Sequence, residues 1–352
     1  MTRRCNKCIL PQSFPDIRFD KCGICNYCRE YEPIRYLGEG ALSELLDKYR
    51  NKGRKYDCLV PVSGGKDSAF ALSKLKDVYR MRVLAFHYDS GFVSEQAVDN
   101  LKRMVQVLDV DLLTVRSSRS LQEKLLKKSI VTWCRNPDLI PLLCIGCQNA
   151  IEGGAFRVAK AEGIPLIVQG GSLLEESLFK RKVTTYHSSR FVHTLLKFIK
   201  DPLYYPTLLP DYLRSNLEFP PVNTRKTTRS IVDFHGVHFI HFFDYTGYDE
   251  QKILSTVKDR LGWKREKETG STWHIDCEVH ALVDHIFQRR LGFTEKDEYY
   301  GRMIREGIID RQEALRRIDE EKRNAIHVRK VIDRLFHKLE LFGSERDYIM
   351  SL

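Results

Sequence analysis

A mostly parallel α/β sheet, with a cysteine-rich cap before it and a mostly helical region after it, is the fold class this sequence predicts. Three observations carry the prediction. Short apolar runs alternate with amphipathic stretches between residues 57 and 171. A glycine-rich turn, "SGGKDS", follows the first of those runs at residues 63–68. Two C-x-x-C pairs lie within the first 28 residues, whereas the stretch 263–352 is charged and amphipathic. Continuous apolar strands alternating with helices belong to a parallel sheet covered on both faces.

The elements follow in order. In residues 1–34, "CNKC" and "CNYC" bracket a loop. A piece this small cannot bury a core, so a metal has to organise it. "GALSELLDKYRNKG" reads as an amphipathic helix ended by Gly53. Residues 35–180 hold the sheet, with strands "DCLVPV", "RVLAFHYD", "VDLLTVR" and "IPLIVQGG". "SAFALSKLKDVY" and "GGAFRVAKAEG" are helical by periodicity. "SEQAVDNLKRMVQVLD" sets Val98, Leu101, Val105 and Leu108 on one helical face. Ligands of such sheets lie beyond the carboxyl ends of the strands, where the loops 63–68, 87–91 and 169–176 open. Residues 181–262 read as an insertion or extension. Its irregular part, 181–228, is expected to lie over the active edge or to form an oligomer contact. "VHFIHFFDY" then gives a strand, and Ile253, Val257 and Leu261 mark a helix in "DEQKILSTVKDRLGW". Residues 263–352 are mostly helical, with Asp310 and Glu313 fitting a D-x-x-E helix start.

Composition narrows the class. The longest apolar runs fall short of the ~18 residues a membrane span needs, and "MTRRCNKC" lacks the apolar run of a secretory signal. The expectation is a cytoplasmic protein without a membrane. There, the clustering among ten cysteines points to metal rather than disulfides. Cys5, Cys8, Cys25 and Cys28 have the spacing of a structural Cys₄ zinc site, and Cys22 could replace one of the four. The net charge of +11 fits either a polyanionic ligand (nucleotide, nucleotide-sugar or RNA) or a solvated basic surface.

The loop carries the chemistry. The G-x-x-x-x-G-K-[ST] phosphate loop requires glycine where Val60 stands and Ser or Thr where Asp67 stands. "SGGKDS" nevertheless offers consecutive backbone N–H groups at a helix N-terminus, with Gly64 and Gly65 permitting close approach and positive φ. Lys66 adds positive charge, and Ser63 and Ser68 add hydroxyl donors. Asp67 beside such a nest suits Mg²⁺ or the orientation of a basic group.

At this loop the sequence resembles the PP-loop ATP pyrophosphatases, the adenine nucleotide α-hydrolases of the HUP-like fold. That resemblance implies a loop gripping pyrophosphate while AMP passes to an oxygen, which ammonia or sulfur then displaces. Along most of the chain it extends to the N-acetyl sugar amidotransferases of surface-polysaccharide (lipopolysaccharide O-antigen) loci. "CNKCILPQSFPDIRFDKCGICNYC", "SGGKDS", "CIGCQNAI", "LGWKREKETGSTWHIDC" and "GFTEKDEYYGRMIREGIIDRQEAL" occur in the family's order. The family implies ATP, Mg²⁺, a nucleotide-sugar or other small acceptor, and a separate glutaminase supplying ammonia; a homo-oligomer is also compatible. It implies nucleotide contacts from Ser63, Gly64, Gly65, Lys66, Asp67, Ser68, His87, Asp89, Gly170 and Glu176, with Lys66 and Asp67 catalytic. One block departs: where the family shows G-E-N-x-x-x-E, this chain has "GGSLLEE", in which Gly170 and Glu176 alone match.

Cys144 and Cys147, with the distant Cys277, resemble the three-cysteine [4Fe–4S] arrangement of PP-loop sulfur transferases, whose fourth iron stays open for sulfide or substrate. Under that alternative Cys144 and Cys147 are catalytic and the acceptor is an RNA or a free base. Buried apolar cysteines, a second zinc or a redox pair stand beside it. Cys277 is the last cysteine of the chain, so the C-terminal zinc site of one RNA-thiolating branch has no ligands here. A third reading is a non-catalytic zinc-ribbon protein that binds nucleic acid.

Overall fold

The computed structural model describes residues 3–116, 119–135, 145–179, 209–219, 231–265, 272–274, 276–323 and 325–352. Its centre is a six-stranded sheet in the order β3-β2-β1-β4-β6-β5. The strands are β1 Cys58–Pro61, β2 Val83–Tyr88, β3 Asp111–Val115, β4 Leu166–Gln169, β5 Val232–Phe234 and β6 Val237–His241. Five run parallel, and β5 closes the edge as the antiparallel arm of a hairpin with β6. The hairpin turns on His235 and Gly236, both at positive φ, as a two-residue turn between right-twisted strands requires. The mixed α/β class expected from the sequence is the one observed.

Apolar runs become strands because alternate side chains face two helical layers. Val60, Ala85, Val168 and Ile240 look towards α2 (Glu39–Asp47), α3 (Lys66–Ser73), α4 (Glu95–Leu108) and α8 (Glu250–Leu261). Leu59, Leu84, Phe86, Ile167 and Phe239 pack on the other face, against Phe156 and Ala159 of α6 (Ile145–Ala161). Gly154 lets α6 lie close to the sheet, since a Cβ there would stand 3.0 Å from the Phe86 ring.

Some boundaries moved. The helix expected to reach Gly53 stops at Asp47, and the chain turns there before Gly53 takes φ +76°. The first crossover helix begins inside the glycine loop at Lys66 and ends in a π turn, Lys74–Val78. "VHFIHFFDY" is a strand only to His241, and Phe242–Asp244 form a 3-10 turn. "GGAFRVAKAEG" is the second half of the longer α6. The stretch 181–228 is described only at residues 209–219, where α7, Leu209–Glu218, lies against α5 (Arg119–Arg135) and α6.

The C-terminal region is helical: α9 Val279–Leu291, α10 Glu295–Arg305, α11 Arg311–Arg323, α12 Ala325–Lys338 and α13 Ser344–Ser351. Asp310 caps α11 by accepting the Glu313 N–H at 2.7 Å, as the D-x-x-E pattern predicts. The N-terminal cap, with its short helix α1 (Asn26–Arg29), sits on these helices and shares their core. Cys5, Cys8, Leu10, Phe14, Cys25 and Cys28 pack with Leu282, Ile286, Phe287, Phe293, Leu335 and Phe336. Arg4 pairs with Asp297 at 2.5 Å, Ser13 donates to the Gly292 carbonyl, and Arg311 donates to the Cys5 and Cys8 carbonyls. No helix among the described residues is long and apolar enough to cross a membrane.

Candidate active site

The strand order reverses between β1 and β4, because the chain builds β2 and β3 on one side of β1 and then crosses to the other. A crevice forms at such a switch point, outside the carboxyl ends of the strands. Two of the loops singled out in the sequence meet there. Ser63–Ser68 follows β1 and opens α3, and Gly170–Ser177 follows β4. Their contact is close: a Cβ on Gly170 would stand 2.6 Å from the Ser68 Cα.

The loop has the form of an anion nest. Gly64 takes φ +84°, while Gly65 takes an ordinary extended φ of −74° as the N-cap of α3. A side chain at Gly64 would also strike the Ala97 carbonyl at 2.1 Å, so the position requires glycine on two counts. The Gly64 carbonyl is turned inward, accepting from the Trp263 indole at 3.0 Å and the Asn100 amide at 3.4 Å. The loop hydroxyls brace it further: Ser63 Oγ accepts the Gly65 N–H, and Ser68 Oγ donates to the Gly65 carbonyl at 3.2 Å. The α3 dipole adds positive potential at this end.

Lys66 is 1% exposed, and its Nζ reaches Asp67 Oδ2 at 2.6 Å. Burial works against its charge, but Asp67 and then Glu250 more than offset this and hold its pKa above the ordinary value. The ammonium therefore stays charged. Asp67 Oδ1 accepts from the Tyr248 hydroxyl at 2.9 Å, and that hydroxyl lies 3.2 Å from Tyr299. Burial, then Asp67, push the Tyr248 phenol far up, so it remains a hydrogen donor. Glu250 in turn is held by Arg317 at 2.8 Å and by Thr272 at 3.0 Å. Trp273 stacks flat on Tyr299 at 4.7 Å and donates to Glu175 at 3.1 Å. Helix α10 thus roofs the loop after β4, and a small recess opens there between Glu175, Glu176, Trp273, Glu295, Glu298 and Tyr299.

The other sequence candidates spread along the same edge. His87 is buried in β2, with Nδ1 3.0 Å from the Val62 carbonyl, just before the loop. Asp89, beyond β2, accepts from Arg116 and from the Gly91 N–H at 2.8 Å. Burial opposes its charge, yet Arg116 and that N–H hold its carboxyl below the usual range. Glu176 ends the 3-10 turn Leu173–Glu175. Cys277 pairs with Val93 in an isolated bridge, which draws its neighbour Asp276 over the loop. Asp276 faces the Ser63 side chain, and its Oδ2 would lie 3.9 Å from a Cβ at Gly65. Burial pushes its carboxyl up. Cys147 lies in the first turn of α6, and because α6 feeds β4 at the opposite edge, this turn stands at the carboxyl edge. Cys147 and Cys277 pack against different apolar clusters. Cys144 lies outside the described residues.

Cys5, Cys8, Cys25 and Cys28 form a second centre. All four are buried, and their sulfurs lie within 4.8 Å of one another. Cys5–Cys28 is 4.0 Å and Cys8–Cys25 is 3.8 Å, far beyond a disulfide. Four sulfurs set tetrahedrally ~2.3 Å from one ion would be about 3.8 Å apart. Backbone N–H groups of Cys8, Leu10 and Cys25 point at these sulfurs from 3.2 to 3.5 Å, as they would to support thiolates. The neighbouring thiols, Cys25 first, draw Cys5 far below its ordinary pKa and raise Cys8. Cys22 is exposed and outside the group, so it replaces none of the four.

Tyr248, Glu250, Trp263 and Arg317 carry no sequence signal of a site, and Asp276 stands out in the sequence only with His274, as an acid–base pair near Cys277. Trp263 and Asp276 fall in "LGWKREKETGSTWHIDC", but no spacing marks which of those residues turn to the loop.

No protein-family model matches the chain. It is 21% identical over 302 residues to an uncharacterized protein of Methanocaldococcus jannaschii, MJ1599, covering 86% of each. Among solved structures it is similar to the U34-tRNA thiolase NcsA from Methanococcus maripaludis with its [4Fe–4S] cluster. That similarity has 14% identity and a TM-score of 0.36, over 97% of this chain and 90% of the other.

Proposed function

We propose that this protein is an ATP-dependent, AMP-forming transferase of the PP-loop type, which adenylates the amide oxygen of a nucleotide-linked N-acetyl sugar and replaces it with nitrogen from ammonia. The observation that carries ATP use is the Ser63–Ser68 nest on the N-terminus of α3, at the switch point between β1 and β4, with the buried Lys66 ammonium beside it. The sugar and ammonia rest on the sequence resemblance.

The chemistry follows from the residues. The amide oxygen attacks the α-phosphorus of ATP, and the bond to pyrophosphate breaks. The N–H groups of the nest and the Lys66 charge face the leaving pyrophosphate and stabilise its growing charge without reorganisation. Tyr248 and Asp67 hold Lys66 in place. Ammonia then attacks the activated carbon, AMP leaves with the former amide oxygen, and a proton passes to solvent to leave an amidine. Mg²⁺ accompanying ATP would neutralise phosphate charge. Zinc is the ion we assign to Cys5, Cys8, Cys25 and Cys28, in a structural role supported by their tetrahedral sulfur spacing. A separate glutaminase would supply the ammonia.

One observation favours a second reading, in which sulfur is the nucleophile. Cys147 and Cys277 both stand at the carboxyl edge that carries the loop. They would be ligands of a [4Fe–4S] cluster only together with Cys144 or another thiolate.

The test is ATP–pyrophosphate exchange in the presence of N-acetylated nucleotide-sugars, followed by mass analysis with ammonia or sulfide. AMP and pyrophosphate in equal amounts with an amidine product are expected. A thiolated product selects the second reading. ADP and phosphate, or no exchange with any acceptor, overturn the proposal.

A further inference from the structure

We propose that Asp276 is the carboxylate that takes up the divalent cation of MgATP at the loop, a role for which the sequence put forward Asp67. This rests on the reading of Ser63–Ser68 as an ATP site and adds to it a residue lying 209 positions after Asp67 in the chain.

The other carboxylates of the edge are engaged. Asp67 gives Oδ2 to Lys66 and Oδ1 to Tyr248. Asp89 is held by Arg116 and the Gly91 N–H. Glu175 accepts from Trp273 and from the Ser172 N–H. Asp276 differs in its donors and in its place. The polar groups that face it are the Ser63 side chain and its own backbone N–H, which are neutral, and Lys66 attracts it through space less than Asp67 repels it. Its backbone is fixed by the Ser94 N–H, 3.2 Å from the Asp276 carbonyl, and by the bridge between Val93 and Cys277. Oδ2 lies within 4 Å of the space over Gly65, at the mouth of the nest.

A bare carboxylate at this position repels an incoming polyphosphate, and withdrawing it from water without a cation is costly. A divalent cation between carboxylate and phosphate removes both penalties. One or two carboxylates completed by phosphate oxygens and water are the ligand set that Mg²⁺ usually takes. The Ser63 side chain that faces Asp276 also accepts the Gly65 N–H, so Asp276 and the nest meet at one residue.

The test uses Asp276→Asn, which keeps the size and one oxygen of the side chain and removes the charge. Binding of a non-hydrolysable ATP analogue to the full chain is measured by calorimetry, with saturating Mg²⁺ and again in EDTA. In the variant, affinity with Mg²⁺ should fall about tenfold or more. Affinity in EDTA should hold or rise, because a repulsive charge has gone. Asp276→Glu should recover part of the Mg²⁺-dependent loss. Equal affinities of wild type and variant under both conditions overturn the proposal. So does a gain of the same size with and without Mg²⁺, which would mark Asp276 as a group that merely blocks the nest. If the wild type binds no analogue under either condition, the ATP-site reading itself falls, and this proposal with it.

Discussion

Gly170 and Tyr248 carry the plainest predictions at the scale of single residues. Gly170→Ala places a Cβ 2.6 Å from the Ser68 Cα, against backbone that cannot yield like a flexible side chain. The substitution should cost about 2 kcal/mol of stability as overpacking. It should also push the loop out of register, lowering turnover by about a hundredfold. Denaturant titration and pyrophosphate exchange measure the two effects; unchanged exchange would mean that the β4 loop does not position the nest. Tyr248→Phe leaves Asp67 Oδ1 without its buried donor and should cost about 2 kcal/mol. The drop should appear in the rate of pyrophosphate exchange more than in affinity for ATP, because the variant disturbs the Lys66–Asp67 pair and leaves the nest amides alone. Ser63 to Ser68 were legible in the sequence because a phosphate nest is a contiguous object, set by local φ and a helix start. Tyr248 was not, and Asp276 was marked only by its neighbour His274, since contacts that close over roughly two hundred residues leave no periodic mark.

Among the elements, the N-terminal cap was legible as a metal unit, and the four sulfurs do converge. What it would rest on was not legible. Its cysteines share one apolar cluster with α9 and α12, and Arg311 at the start of α11 donates to the carbonyls of Cys5 and Cys8. The cap and the C-terminal helices should therefore lose structure together. Metal analysis should find about one zinc per chain held by this group. Cys25→Ser should lower that content and shift thermal unfolding down by about 10 °C, with helical signal lost in the same transition. Zinc retained in full by the variant would refute the site. A cap that melts separately, leaving the helices intact, would refute the shared core. The β5–β6 hairpin escaped the sequence reading for another reason: β5 is a three-residue edge strand, too short for alternation to show.

At the scale of the whole molecule, the C-terminal helices reach the site through charge. Arg317 on α11 holds Glu250 at the start of α8, and Glu250 in turn supports the Lys66 ammonium. Glu313 anchors the same arginine at 2.8 Å. Arg316 and, after the opposing effect of burial, Arg317 depress the Glu313 carboxyl to about 2 from its ordinary 4.5. A carboxyl lowered by folding stabilises the folded chain above the unfolded pKa and loses that contribution as pH falls through the folded one. The stability gap between wild type and Glu313→Gln should thus be complete above about pH 5 and shrink between about 4.5 and 2. Denaturant melts across that range measure it, and a gap independent of pH would remove the ion pair from the account. By itself the sequence determined the strands, the nest and the cysteine quartet, because each is written in neighbouring residues through local geometry or metal-ligand spacing. Only the tertiary structure decided that Asp276 stands over the nest, that Tyr248 and Glu250 hold Lys66, and that the first thirty residues rest on the last ninety. Those are contacts between distant segments, chosen by which buried surfaces and charges complete one another when the chain closes.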